Sequence, residues 1–309
     1  MRTYLFDIHF RAIDTVRLPR YNKGNILRGA LGRSLRDLVC PYPEGDCATC
    51  TAGSCVYRSF FNSLNPGQKG RLSGNRDIPR PFVFNPPLDP KTVYSPGQEI
   101  SFGMVIFGRA IDFLPFLIAA LDRAADRGFG AGRGRAVIER VVQADPVTGA
   151  RHELVSCDGV VRPGTDIFFT GDSFTGTEES RVRVNFLTPA VIKDGGRLLQ
   201  RPGFAAIVRR LRDRYSTLSW FYGGREPDID FSTFADAAEQ VRAVKSDLVF
   251  VNSSRRAHSS NRQDLSGFVG SVLYEGPLGQ YMPLLKYGQY MHVGKAAVLG
   301  NGWYEIENA

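Results

Sequence analysis

One order of elements, strand–helix–strand–strand–helix–strand, occurs twice in this sequence and predicts an α+β protein of two tandem ferredoxin-like (βαββαβ, RRM-like) domains. Two further observations shape that expectation. Both halves end in a helix, a glycine-rich turn and a strand. Four cysteines fall within a short Gly/Pro-rich stretch of the first half, which predicts a metal-binding insertion there. The domains are expected at 1–145, with the insertion at 40–57, and at 146–309, with a glycine-rich loop at 292–302.

The chain has 309 residues, enough for two domains, and 43% hydrophobic against 23% charged residues marks a folded chain rather than a disordered one. The formal net charge of +8 favours a polyanionic partner, nucleic acid before membrane. No apolar run reaches the ~18 residues of a membrane span, and the N-terminus lacks the apolar core of a signal peptide. A cytoplasmic protein without a membrane partner is expected.

Residues 3–13 alternate as a first strand. Asn25 is placed to cap the next helix, on which Ile26, Leu27, Ala30, Leu31, Leu35 and Leu38 repeat at helical spacing. Arg28, Arg33 and Arg36 lie on its other face, which reads as a solvated helix surface, with Arg28 also a candidate phosphate contact. Cys40, Cys47, Cys50 and Cys55 follow at C-x6-C-x2-C-x4-C spacing. Four thiolates in a loop that cannot form its own core suit structural zinc, with an iron–sulfur cluster or free thiols as alternatives. Residues 99–107 read as a strand, 111–127 as a helix with Pro115 in its first turn, and 136–142 as the fourth strand after Gly128–Arg135. Residues 145–180 read as a linker or hairpin. The second domain is expected to run through a strand at 181–187, a helix at 204–221, an added helix at 234–244, paired strands at 248–253 and 268–275, a helix at 278–291 and a strand at 303–306.

The loop between those last two elements holds His292, Gly294, Lys295, Gly300 and Gly302. Its glycines allow positive φ, and unshielded amides there would cradle an anion with Lys295 at the mouth. The alternative is a helix C-cap followed by a strand with a glycine bulge. Among four histidines, His9 reads as structural and His152 as a surface residue, which leaves His292 beside the loop and His258 in the basic Arg255–Gln263 connection.

Gly24-Asn-x-x-Arg-Gly-x-x-Gly32, the cysteine cluster ending Cys55-Val-Tyr57, Pro79-Arg-Pro-Phe-Val83, Gly128-x-Gly, Ser260-Asn-Arg-Gln263 leading into Gly267-Phe-Val-Gly270, and the terminal His-Val-Gly-Lys…Gly-x-Gly together span nearly the whole chain. In these the sequence resembles the CRISPR-associated pre-crRNA processing endoribonucleases of the RAMP superfamily. The resemblance implies CRISPR repeat RNA as partner, with other CRISPR effector subunits as further partners. It implies metal-independent cleavage by 2′-hydroxyl attack, leaving 2′,3′-cyclic phosphate and 5′-hydroxyl ends; the alternative is a catalytically inactive crRNA-binding subunit. Many members of that family carry a histidine in or before the first helix. Here no histidine lies between His9 and His152, and Tyr21 and Lys23 occupy that region. The expected catalytic residues are therefore His292, His258, Tyr21 and Lys23, with zinc as the structural cofactor and no catalytic metal. The expected RNA contacts are Arg28, Arg255, Arg256, Arg262, Gly294, Lys295, Gly300 and Gly302.

Overall fold

A computed structural model describes residues 1–309 except 43–44, 48, 51, 53–54, 64–77, 177, 195, 225–230 and 257–261, and except the side chains of 194, 231–233, 255–256 and 262. The chain forms two units, Met1–Phe169 with Trp220–Arg225, and Thr170–Ser219 with Glu226–Ala309.

In the first unit the elements are β1 (Thr3–Ala12), β2 (Val16–Arg17), α1 (Lys23–Val39), α2 (Val56–Phe61), β3 (Phe82–Asn85), β4 (Val93–Tyr94), β5 (Glu99–Phe107), α3 (Leu114–Arg127), β6 (Ala136–Ala144) and β7 (Arg151–Val155). β2 and β4 form a small separate pair, and the main antiparallel sheet has the order β3-β5-β1-β6-β7. Without β7 this is second, third, first, fourth, the order of a ferredoxin-like sheet. The pleat explains the alternation along β1. Tyr4, Phe6, Ile8 and Phe10 are buried, as are Leu27, Leu31 and Leu35 of α1 and Leu117 and Leu121 of α3. Each fully buried side chain of this size contributes roughly 1.5–3 kcal/mol.

The first helix starts earlier than expected. Asn22, in the left-handed region at φ 62°, precedes Lys23, so Asn25 lies inside α1. It ends at Cys40, whose backbone is extended because Pro41 follows. Pro115 sits at the start of α3, where its missing N–H costs nothing.

The expected domain boundary at 145 is too early. β7 pairs with β6, and Thr3 pairs with Phe169, so residues 146–169 complete the first sheet instead of linking two domains. The turn signals at Asp145-Pro and Asp158-Gly mark the ends of a hairpin that the sheet absorbs.

In the second unit the elements are β8 (Arg181–Ala190), β9 (Lys193–Asp194), β10 (Arg197–Leu198), α4 (Phe204–Leu218), α5 (Phe231–Ala237), β11 (Arg242–Val251), β12 (Ser254–Arg256), β13 (Arg262–Asp264), β14 (Gly267–Glu275), α6 (Met282–Met291) and β15 (Tyr304–Asn308). β9 pairs with β10 and β12 with β13. The main antiparallel sheet has the order β11-β14-β8-β15, again second, third, first, fourth. The tandem reading thus holds at the level of strand order. The added helix is shorter and earlier than expected, because β11 takes over from residue 242. Among the described residues no helix is long and apolar enough to cross a membrane.

Candidate nucleic-acid interface

The C-terminal loop leaves α6 at His292, which has φ 63°, and is tied to the end of β8. The Lys295 amide donates to the Val191 carbonyl, the Gly302 amide to Pro189 and the Val293 amide to Gly302. The Gly300 amide donates to Ala297, and the Thr188 hydroxyl donates to the Gly300 carbonyl at 2.6 Å. A Cβ at Gly302 would collide with the Val293 carbonyl oxygen, and one at Gly294 would collide with that of Val191. These glycines are required by crowded backbone, with Gly302 at φ 70° and Gly294 at φ 86°. The loop amides expected to cradle a phosphate are in large part spent inside the protein, so the anion-cradle expectation is corrected for Gly300 and Gly302, both buried. Lys295 is exposed and remains a cation on the loop surface.

His292 departs furthest from expectation. It is fully buried and its ring stacks on Trp303, with 6.1 Å between centroids and 7° between planes. Burial, aided by the charge of Arg214, pulls its pKa down to about 3. A neutral, enclosed imidazole does not exchange protons with RNA at neutral pH. In this structure the histidine packs the loop, which corrects its expected catalytic role. Tyr287 is likewise buried, in edge contact with Tyr215.

Around the start of α1, Lys23 is also turned inward. It is 2% exposed, and its Nζ donates to the Tyr94 hydroxyl at 3.0 Å and to Asp89 Oδ1 at 3.3 Å. The Tyr94 hydroxyl in turn donates to the same carboxylate at 2.9 Å. Burial opposes the Asp89 charge, but hydrogen bonds from Tyr94 and the charge of Lys23 outweigh it and hold this carboxyl below its usual range. Burial and Asp89 together push the Tyr94 phenol far up. Lys23 therefore anchors the helix start to the Asp89 turn, a correction to its expected catalytic role. Tyr21 is 39% exposed, with the Arg20 guanidinium 5.7 Å from its ring centroid. Arg28 lies over the Phe61 ring at 5.0 Å.

The cysteines Cys40, Cys47, Cys50 and Cys55 are free and half-buried. Burial raises the Cys47 thiol, and the other three thiols add to that rise while Arg36 lowers it. Cys40, Cys50 and Cys55 therefore lie within electrostatic range of Cys47. Arg58 holds this stretch by donating to the Cys50 carbonyl at 3.2 Å. Among the described residues, however, no three His, Cys, Asp or Glu side chains gather closely enough to hold a metal ion. The expected finished four-thiolate site is not seen.

His258 lies outside the described residues. Arg255, Arg256 and Arg262 belong to the β12–β13 hairpin, where Arg256 pairs with Arg262 in backbone register. His9, on the open face of the first sheet, sits 2.8 Å from Glu99 Oε1 and 3.1 Å from the Ser101 hydroxyl.

A model of the CRISPR-associated endoribonuclease Cas6 matches residues 184–304, and a model described as an N-terminal domain matches residues 1–165. The Cas6 endoribonuclease family is thus the one matched by residues 184–304. No curated protein matches the sequence. Solved structures similar to this chain include a Cas6 (TTHB231) product complex, at 17% identity over 99% of this chain and 100% of that one, TM-score 0.58. Thermus thermophilus Cas6 (TTHB231) is similar at 14% identity over 99% and 98%, TM-score 0.57, and a Cas6 (TTHA0078) product complex at 16% over 99% and 100%, TM-score 0.56. At these identities the likeness is one of fold.

Within the first unit, sequence reasoning missed Asp89 and Tyr94. Both lie far from Lys23 in sequence, and neither stands in a motif. The one available signal was a lysine in the first turn of a helix, beside Gly24.

Proposed function

We propose that this protein cleaves CRISPR repeat RNA without a catalytic metal. The 2′-hydroxyl attacks the adjacent phosphorus as its proton passes to a base. The bond to the 5′-oxygen breaks as that oxygen takes up a proton. The products carry a 2′,3′-cyclic phosphate and a 5′-hydroxyl. This step needs proton transfer and cations that offset the extra negative charge on phosphorus. The observation that carries the reading is the Cas6 match over residues 184–304, the unit that exposes Lys295 on its terminal loop. With His292 enclosed, Tyr21 is our first candidate for proton transfer and His258 the second. Lys295, Arg28, Arg255, Arg256 and Arg262 are the proposed phosphate contacts. Gly294, by its φ, shapes the turn that presents Lys295. Lys23 is a positioning residue at the head of α1.

The enclosed His292 favours one second reading, a crRNA-binding subunit that does not cut. Incubation of the chain with repeat RNA in EDTA separates the two. We expect a single cut with a cyclic-phosphate end, no cut when the 2′-hydroxyl beside the scissile phosphate is removed, and a rate lower by about 10²-fold or more for Tyr21→Phe. Loss of cutting in EDTA overturns the metal-free mechanism. Tight binding without a cut leaves the subunit reading.

We also propose that Cys40, Cys47, Cys50 and Cys55 hold a structural zinc ion. The support is their donor chemistry and their mutual influence on Cys47. Zinc would fix the insertion and takes no part in cleavage. Metal analysis of the purified chain should find zinc at a stoichiometry that Cys50→Ser removes, with a lower melting temperature. Iron in its place, or no metal in a chain that melts as Cys50→Ser does, overturns this assignment.

A further inference from the structure

The first unit contains a pocket that none of the proposed contacts uses. It has a volume of about 270 Å³ and opens between α1 and α3 beside the Gly128–Arg135 turn. Its floor is made of small buried residues, Ala30 and Ser34 from α1 and Ala124 and Gly128 at the end of α3. Three exposed guanidiniums border it, Arg33 from α1, Arg127 from the last turn of α3, and Arg133 from the glycine turn. Arg127 donates to the Asp37 carboxylate. Among the described residues neither Arg33 nor Arg133 has an acidic partner. Arg133 is held in the left-handed region at φ 51°, a backbone cost of about 1 kcal/mol or more for a non-glycine residue.

Charge decides what such a pocket takes. Three guanidiniums against one carboxylate leave a clear positive excess, and the C-terminal end of α3 removes only about half a charge. The volume lies below the ~300–1,000 Å³ usual for whole small-molecule sites. A compact anion fits this pocket and a nucleotide does not. The buried Ser34 adds a hydroxyl donor at the floor, and a planar guanidinium fork matches phosphate oxygens. We propose that this pocket binds one backbone phosphate of the RNA strand. This subsite rests on the RNA-binding reading above and lies wholly within the first unit. Tyr21 does not line it, so the arginines that grip the strand are distinct from that proton-transfer candidate.

The test compares the full-length chain with Arg33→Gln, with Arg133→Gln and with both changes. Arg109→Gln, an exposed arginine outside the pocket, is the control. Binding of repeat RNA is measured across a salt series, and the cleavage rate at saturating RNA is measured alongside. Each pocket change should weaken binding about fivefold or more and lower the salt slope by roughly 0.7–0.9. The cut position and the saturated rate should stay those of the unchanged chain. Replacing RNA phosphates one at a time by uncharged methylphosphonate should reveal one position that weakens binding to the unchanged chain and not to the double variant. The subsite is overturned if the pocket variants bind as the unchanged chain does, or if Arg109→Gln loses as much slope as they do. If the unchanged chain fails to bind repeat RNA at all, it is the RNA-binding reading that fails, and the subsite falls with it. Melting curves that match across the variants confirm that the readout is binding.

Discussion

The two glycine-rich turns, 128–135 and 292–302, stand at the same place in the repeated topology, between the second helix of a unit and its fourth strand. They use their glycines differently. In the second turn, Gly294 and Gly302 sit where any side chain would strike a carbonyl, and the amides of Val293, Lys295, Gly300 and Gly302 bond inward. In the first, Gly128 and Gly130 are crowded in the same way, but Gly132 at the tip has nothing within 4 Å. Arg133 follows directly at the pocket edge. Glycine spacing thus reports where backbone passes close to backbone. Whether a turn meets an anion is set by the charges placed around it.

The contrast can be broken first at Gly302. Gly302→Ala should cost at least ~3 kcal/mol in thermal or denaturant unfolding, because the collision is with backbone that cannot move aside. A loss under 1 kcal/mol would mean that the second turn is as open as the tip of the first. Acid titration of stability gives the next largest effect. The imidazole of His292 has a pKa of about 3 in the fold against an ordinary 6.5, so between those values the unfolded chain binds a proton that the folded chain does not. This contribution to stability is whole above pH 6.5 and shrinks as pH falls, by about 2 kcal/mol at pH 5. His292→Gln should flatten that slope, and an unchanged slope would place the histidine in contact with solvent. Gly132→Ala should cost only about 1 kcal/mol, the strain of its φ of 83° with no collision added. Smallest of all, Lys295→Gln should leave the melting temperature unmoved and reduce the salt slope of RNA binding by about 0.7.

Much of the architecture was legible in the sequence because periodicity carries it. The alternation in residues 3–13 and the helical spacing from Leu27 to Leu35 give β1 and α1 directly, and Pro115 marks the head of α3. The extent of the first unit was not legible. β7 joins its sheet through pairing with β6, and sequence distance hides such pairing. Of the site, exposed Lys295 could be read from position alone. The inward turn of Lys23 depends on Asp89 and Tyr94, residues brought near it by β4, and the enclosure of His292 depends on Trp303 beyond the loop. A histidine beside glycines looks the same in sequence whether it faces water or a tryptophan ring.

The place of β1 bears on how the protein is made. It lies between β5 and β6, with Ala12 paired to Ala136 about 120 residues later. At ~5–20 residues added per second, the strand waits roughly 6–25 s after its own synthesis for that neighbour. Phe6, Ile8 and Phe10 have no finished sheet to cover them during that time. The first unit also takes in Trp220–Arg225, made after α4 of the second. Its assembly on the ribosome is therefore complete only when more than two thirds of the chain has emerged, and the interval in which its core stands open is set by translation speed.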